Sequence, residues 1–485
     1  MTHSDQTTPW LRWAHQRPAA VALKVGQQTY TWQAVADRVA VTAASLQQQG
    51  IGPDDVVTLV GKNHPDAVWL FLATLHLGAL TAFVPPQPIA ILQRKLETIY
   101  RPAQTIWLFC AAPDDAAGLP AQLPNLRLVT VKNRMLSDHG GMPQPTTAVL
   151  SSHYQPEQLS TLIFTSGSTG EAKAVAHTSG QHFASAQGLL SQFHFTADDT
   201  WLLSLPIYHV SGLSIIYRWL QAGACLRIGR VEANELSDVT HASLVPTQLQ
   251  RLLDQDMPHA LTHVLLGGSY IPPALARRAA ALGIDTWVGY GMTEAASTVT
   301  AKRVDGRESC GSVLPLRQVK IDQERIYIGG ETLASGYYRQ GSLTSLCDDS
   351  GWFDSKDMGY WHDQELCVTG RADNLFISGG ENIHCEEIEA VLVRHPQIEA
   401  VVVVPVADAT YGARPVAVIA SAPDWLPSEA SMRGWLDGRL EKFKWPDSYY
   451  RLPEHCRTQG IKISRAAVKT WLNAALKACR NVDPS

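Results

Sequence analysis

The chain has 485 residues, 45% of them hydrophobic and 18% charged, with a formal net charge of −5. That length exceeds what one core serves, so at least two domains are expected, and the composition is that of a folded globular protein. The slight acidity leaves no basic footprint for nucleic acid, and eight scattered cysteines without a C-x-x-C pair argue against a zinc site or disulfide framework and for a reducing, cytoplasmic setting.

The N-terminal Met-Thr-His-Ser-Asp-Gln lacks the basic and apolar regions of a secretory signal. Residues 21–34 alternate like a hairpin, and Thr31 is placed to cap a helix carrying Val35, Val39 and Ala43. Ala67–Val84 is long and apolar. His76 and Gly78 interrupt it and two prolines follow, so a buried helix turning at Gly78 into a short strand is expected rather than a membrane span. To about residue 150, helical and strand-like runs alternate, the pattern of a parallel or mixed sheet covered by helices.

Next comes Thr165-Ser-Gly-Ser-Thr-Gly-Glu-Ala-Lys173, behind the strand-like Leu162–Phe164 and ahead of a segment readable as strand or helix. Glycines let backbone N–H groups curl toward an anion, hydroxyls add donors and lysine adds charge, a combination suited to a polyphosphate. The spacing does not fit Walker A. Short β-like runs between helical segments then repeat as far as Thr286–Val288. Within them, Leu265-Leu-Gly-Gly-Ser269 ends a strand on a tight turn. Gly289-Tyr-Gly-Met-Thr-Glu294 gathers an aromatic face, a hydroxyl and a carboxylate at a strand end, where ligand crevices form. Glu294 is a candidate Mg²⁺ ligand.

From Val319 onward the pattern changes to short strands with tight turns. Asp357 and Arg371 lie there, a carboxylate and a guanidinium that could share the hydroxyls of a ribose. A composition break at Gly370–Asn374 suggests a boundary near 372, giving an N-terminal domain of 1–371 and a C-terminal α+β domain of 372–485. The latter carries Thr458-Gln-Gly-Ile-Lys462 ahead of a helix.

In this order the stretches resemble the adenylate-forming superfamily of acyl-CoA synthetases, luciferases and peptide-synthetase adenylation domains, from the helix after Tyr30 to Lys462. The resemblance implies an α/β fold: a large N-terminal domain of mixed parallel sheets packed with helices plus a small β region, and a small mobile α+β C-terminal domain. It implies two half-reactions, attack of a carboxylate on the α-phosphorus of ATP and displacement of AMP by the CoA thiol. Thr165, Ser166, Gly167, Ser168, Thr169 and Lys173 would hold the phosphates; Tyr290, Gly291, Gly268 and Ser269 the adenine; Asp357 and Arg371 the ribose. Thr293, Glu294 and Lys462 would be catalytic, with Mg²⁺ on Glu294. Asp373 falls at the hinge, and Gly379 and Gly380, in Ser378-Gly-Gly380, line the CoA channel.

Four stretches, including Leu202–Gly212 and His241–Leu249, resemble the branch of the family that activates an aromatic dicarboxylic acid for menaquinone biosynthesis. The acid would then meet His209, Thr247 and Ser297, with Gln248 and Arg218 as further candidates. A hydrogen-bonded core histidine is the alternative for His209. Three positions depart from the family pattern: Ala172 stands in place of proline, and Ala174 and Ile461 in place of glycine. A ligase for another aromatic or fatty acid, a carrier-loading module and an inactive binding relative are the competing readings. The short stretch after Lys462 favours free CoA, and the intact Glu294, Asp357, Arg371 and Lys462 favour an enzyme. Homo-oligomerisation is left open.

Overall fold

The computed structural model describes residues 8–111, 123, 125–131, 152–166, 172–267, 271, 273–378, 381–408, 410–422, 425, 427–457 and 463–480. The chain divides into two compact units. The first runs to residue 353 without 319–327; the second holds 319–327 and the chain from 354 onward.

The first unit contains two large sheets. In the nine-stranded one the order is Ser312–Val313, Ser297–Arg303, Asp285–Met292, His263–Leu266, His241–Leu244, Thr200–Leu202, Cys225–Ile228, Val21–Val25 and Gln28–Thr31. Its six central strands, from Asp285–Met292 to Val21–Val25, are parallel. The eight-stranded sheet runs Ser342–Thr344, Gly336–Arg339, Ala172–Thr178, Leu159–Ser166, Leu80–Val84, Val56–Val60, Ile106–Cys110 and Leu126–Leu128. The segment after the phosphate-loop stretch is thus a strand, antiparallel to Leu159–Ser166.

One core cluster joins side chains of both sheets, such as Leu23, Trp201, Val57 and Ile163, to the helices Trp32–Gln48, Pro65–Leu77 and Val210–Ala222. Trp32 stacks on Trp219 with centroids 5.1 Å apart. Thr31 caps the first of these helices, its hydroxyl accepting from the Ala34 N–H at 3.2 Å. The apolar stretch resolves as expected. Helix Pro65–Leu77 is buried from Ala67 on, Gly78 stops it in the left-handed region at φ 73°, and strand Leu80–Val84 follows, buried at every position. Among the described residues no helix is long and apolar enough to cross a membrane.

A four-stranded sheet runs in the order Arg317–Asp322, Arg325–Gly330, Phe353–His362, Glu365–Arg371, and its residues 319–327 and 354–371 belong to the second unit. Beyond it, Ile398–Asp408 pairs antiparallel with Gly412–Ser421, which pairs parallel with Ser448–Arg451. Period-two alternation gives this sheet two buried faces: Val403, Ala417 and Ile419 on one, Val402, Val404, Val416 and Val418 on the other. Helix Arg465–Arg480, which follows the Lys462 stretch, covers the second face with Val468 and Leu472. Arg465 anchors its start, donating to the Glu389 carboxylate at 2.8 Å. Residues 354–371 cluster with the C-terminal part because Gly370 packs closely on Glu386 and His384, and Asn374 donates to Glu386.

Candidate functional site

Strand Leu159–Ser166 delivers Thr165 to the carboxyl end of its sheet, and the antiparallel register sets Lys173 directly across from it. Thr165 is half-buried and Lys173 exposed. The lysine ammonium lies over the ring of Tyr337, 4.9 Å from its centroid. Gly167, Ser168 and Thr169 lie outside the described residues.

The second loop comes from strand Asp285–Met292, which turns through Thr293–Ala295 and returns as Ser297–Arg303. The turn leaves no room for a side chain at position 291. A Cβ on Gly291 would sit 1.9 Å from the Ser297 carbonyl oxygen, and Ala296 and Ser297 take positive φ of 50° and 97°. Arg317 braces it from beneath, donating to the Thr298 carbonyl at 2.8 Å and to Ser185 backbone and hydroxyl at 2.8 and 2.9 Å. Burial lowers the Arg317 pKa to about 10. Tyr290, Thr293 and Glu294 are half-buried at this turn, and the Tyr337 hydroxyl donates to Glu294 Oε1 at 3.3 Å. Tyr337 belongs to no motif that the sequence singled out, nor does Arg317.

The candidate acid-binding residues sit on the neighbouring loops of the same parallel sheet edge. The loop after Thr200–Leu202 leads to His209, and the loop after His241–Leu244 leads to Thr247. His209 is exposed at the head of helix Val210–Ala222, with its ring 4.8 Å from that of Tyr208, so it is not a core histidine. Thr247 is exposed. Gln248 is committed locally, its side chain accepting from the Val245 N–H at 3.1 Å. Asn63 fixes the first loop by donating to the carbonyls of Leu203 and Leu205 and accepting from the Ile207 N–H, each at 2.9 Å.

Arg218, nine residues along that helix from His209, is only 2% exposed. It donates to the Thr298 hydroxyl at 3.4 Å and lies 5.2 Å over the Trp201 ring; the Ser297 hydroxyl is 3.5 Å from that of Thr298. Among the described residues it forms no ion pair, and its Nε has no hydrogen-bond partner. Burial, with Arg317 as a secondary cause, lowers its pKa to about 9.

In the second unit, Asp357 and Arg371 face each other across an antiparallel pair and are joined at 3.2 Å. Arg371 also donates to Asp373 at 2.9 Å, so one guanidinium spans the ribose candidate and the hinge candidate. Gly268, Ser269, Gly379, Gly380 and Lys462 lie outside the described residues. No three His, Cys, Asp or Glu residues converge as a metal cage among the described residues. Mg²⁺ commonly takes one or two carboxylates together with substrate phosphates, and the half-buried Glu294 carboxylate fits that part.

A family model described as AMP-binding enzyme matches residues 10–338, and one described as AMP-binding enzyme C-terminal domain matches residues 387–461. The chain belongs to the AMP-binding enzymes, the adenylate-forming superfamily that its motifs resemble. Its relatives narrow the class. It is 38% identical to a 2-succinylbenzoate–CoA ligase of Salmonella typhimurium, over 99% of this chain and 100% of that protein. It is 39% identical to the Escherichia coli protein of the same name, over 96% and 98%. A solved structure of a variant of E. coli MenE with bound OSB-AMS is similar with a TM-score of 0.84 at 37% identity, covering 97% of this chain and 99% of that one.

Proposed function

We propose that the chain is an ATP-dependent acid–CoA ligase that converts 2-succinylbenzoate, ATP and CoA to 2-succinylbenzoyl-CoA, AMP and pyrophosphate, in menaquinone biosynthesis. The observation that carries this is likeness across 99% of the chain to a protein of that name. Arg218 supports the substrate chemically. A buried cation with no acidic partner among the described residues, beside the Ser297 and Thr298 hydroxyls, suits the ring carboxylate of an aromatic dicarboxylic acid, while the succinyl carboxylate reacts. Thr247 and the exposed His209 lie on the loops that would flank the acid.

In the first half-reaction a carboxylate oxygen of the acid attacks the α-phosphorus, and the bond to the bridging oxygen of pyrophosphate breaks. Thr165, Ser166, Gly167, Ser168, Thr169 and Lys173 hold the departing phosphates. Tyr290, Gly291, Gly268 and Ser269 hold the adenine, and Asp357 with Arg371 the ribose. Thr293 donates to the α-phosphoryl oxygen, and Lys462 brings positive charge to where negative charge develops. Glu294 would hold Mg²⁺, which when bound would further neutralise the phosphoryl oxygens. In the second half-reaction the CoA sulfur attacks the acyl carbonyl and AMP leaves. The two steps need different walls over one pocket. The C-terminal domain, residues 372–485, therefore pivots on the N-terminal domain, 1–371, at Asp373, which brings the channel residues Gly379 and Gly380 into use. The scattered cysteines, with no C-x-x-C pair in the sequence, support a cytoplasmic setting.

Pyrophosphate release measured over a panel of acids, with and without CoA, tests this. 2-Succinylbenzoate alone is expected to turn over strongly; equal rates on benzoate or palmitate would overturn the substrate. A Lys462→Ala variant is expected to lose adenylation while still converting premade acyl-adenylate and CoA to thioester. Normal adenylation by that variant would remove Lys462 from the first step.

A further inference from the structure

Tyr337 touches two residues to which the proposed mechanism gives separate tasks at the phosphates, Glu294 for the cation and Lys173 for the phosphates themselves. Its hydroxyl donates to Glu294 Oε1 at 3.3 Å, and its ring carries the Lys173 ammonium 4.9 Å from the centroid. Nothing else among the described contacts joins Lys173 to Glu294. The tyrosine is held firmly enough to matter. Strand Gly336–Arg339 pairs with Ala172–Thr178, setting Tyr337 opposite Val175 and two residues along from Lys173 on the same face. Gly336 lets the chain pass close to its other neighbour, since a Cβ there would lie 2.5 Å from the Thr344 carbonyl oxygen. Ala334 donates its N–H to the Glu294 carbonyl at 2.8 Å, and Ser335 donates to the Ala176 carbonyl at 2.9 Å. The short segment 334–337 is therefore stitched to both loops at once.

We infer that Tyr337 is a positioning residue of the nucleotide site. It fixes the carboxylate of Glu294 for the divalent cation and offers a π face on which the Lys173 ammonium rests while it waits for the phosphates. This rests on the nucleotide site proposed above. A hydroxyl that orients a ligating carboxylate sets metal affinity, and losing such a partner typically costs 10–100-fold. A ring under an exposed ammonium contributes less, about two- to fivefold in binding. The two contacts therefore predict separable defects: removing the hydroxyl alone impairs the cation's part, and removing the ring as well impairs the lysine's part.

The test is calorimetric binding of ATP to the full-length protein, first in excess EDTA and then across a Mg²⁺ titration, without acid or CoA. Tyr337→Phe is expected to bind ATP in EDTA within twofold of the unmodified protein, while needing about tenfold more Mg²⁺ for half of the metal-dependent tightening. Tyr337→Leu is expected to share that defect and to bind ATP in EDTA about two- to fivefold more weakly. A Mg²⁺ requirement for Tyr337→Phe within twofold of the unmodified protein overturns the inference. So does an equal loss of ATP binding with and without Mg²⁺ in both variants, accompanied by a lowered melting temperature, which would make Tyr337 a packing residue. If the unmodified protein binds no ATP in either condition, the nucleotide site itself is refuted and the inference falls with it.

Discussion

Replacing Arg218 by methionine should make the protein more stable and a poorer enzyme at the same time. The guanidinium is 2% exposed and has no acidic partner among the described residues. Burial lowers its pKa from the ordinary arginine range to about 9. At about 1.36 kcal/mol per pH unit, that is on the order of 5 kcal/mol held against the charged form. The cost is fully present below pH 9, where the side chain is charged both folded and unfolded. Methionine of similar length removes it but also forfeits the Trp201 contact and the Thr298 hydrogen bond, about 1 kcal/mol each. A net gain of about 1–3 kcal/mol remains. In a lobe of roughly 350 residues, with about 2.1 cal/mol/K of unfolding entropy per residue, this raises Tm by about 1–4 °C. The acid loses its counter-charge in a dry site, which costs about 3–5 kcal/mol, so kcat/KM for 2-succinylbenzoate falls at least 10²-fold, roughly. An acid with the same keto-acid arm and no ring carboxylate, 4-oxo-4-phenylbutanoate, should be used about equally by both proteins. Differential scanning calorimetry and pyrophosphate release together check the pair of effects. A variant that melts several degrees lower and still prefers the dicarboxylate would refute the assignment of Arg218 and the accounting behind it.

Asp357 is 7% exposed and joined to Arg371. Asp357→Asn should raise the KM for ATP about tenfold and bring the KM values for ATP and 2′-deoxy-ATP together in steady-state kinetics, because a ribose acceptor with charge is lost. Acid stability should be limited by buried histidines: burial lowers His177 to about 3, His241 to about 4, and His182 well below its ordinary value. The unfolded chain takes up these protons first, so stability present above pH 6.5 is lost as pH falls from there towards 4 and 3, by up to about 1.4 kcal/mol per pH unit per histidine. Urea midpoints should be flat from pH 8 to 7 and drop steadily below 6.5; a flat profile down to pH 5 would contradict the burial of these rings.

The sequence made the ends of this site legible and hid its supports. Thr165 and Lys173 stand in one glycine-rich stretch, and the structure pairs them across two strands. Asp357 and Arg371 were readable as a pair only if they converged, and an antiparallel pairing with a bulge makes them do so. The strand after the phosphate-loop stretch was ambiguous because a short apolar run fits either periodicity. Tyr337, Asn63 and Arg317 left no local signal. Each is a single residue whose partners lie far off in the chain, 43 residues for Tyr337 and Glu294, 132 for Arg317 and Ser185, so only the fold reveals them. Gln248 was a reasonable pocket candidate by position, yet capping its own helix uses its carbonyl oxygen.

The three hydrogen bonds of Asn63 have an implication for altering substrate range. That asparagine comes from the turn after Val56–Val60 in the eight-stranded sheet, yet it clamps the backbone of residues 203–207 beside the other sheet. One wall of the proposed acid-binding region thus takes its contour from main-chain atoms held by a neighbouring layer, beyond the reach of side-chain exchange within the wall itself. Libraries that vary 203–207 would mostly be reworking the paint on a fixed frame. Room for a bulkier or differently shaped acid is better sought on the Thr247 side, whose side chain points to solvent from a helix with its own local cap.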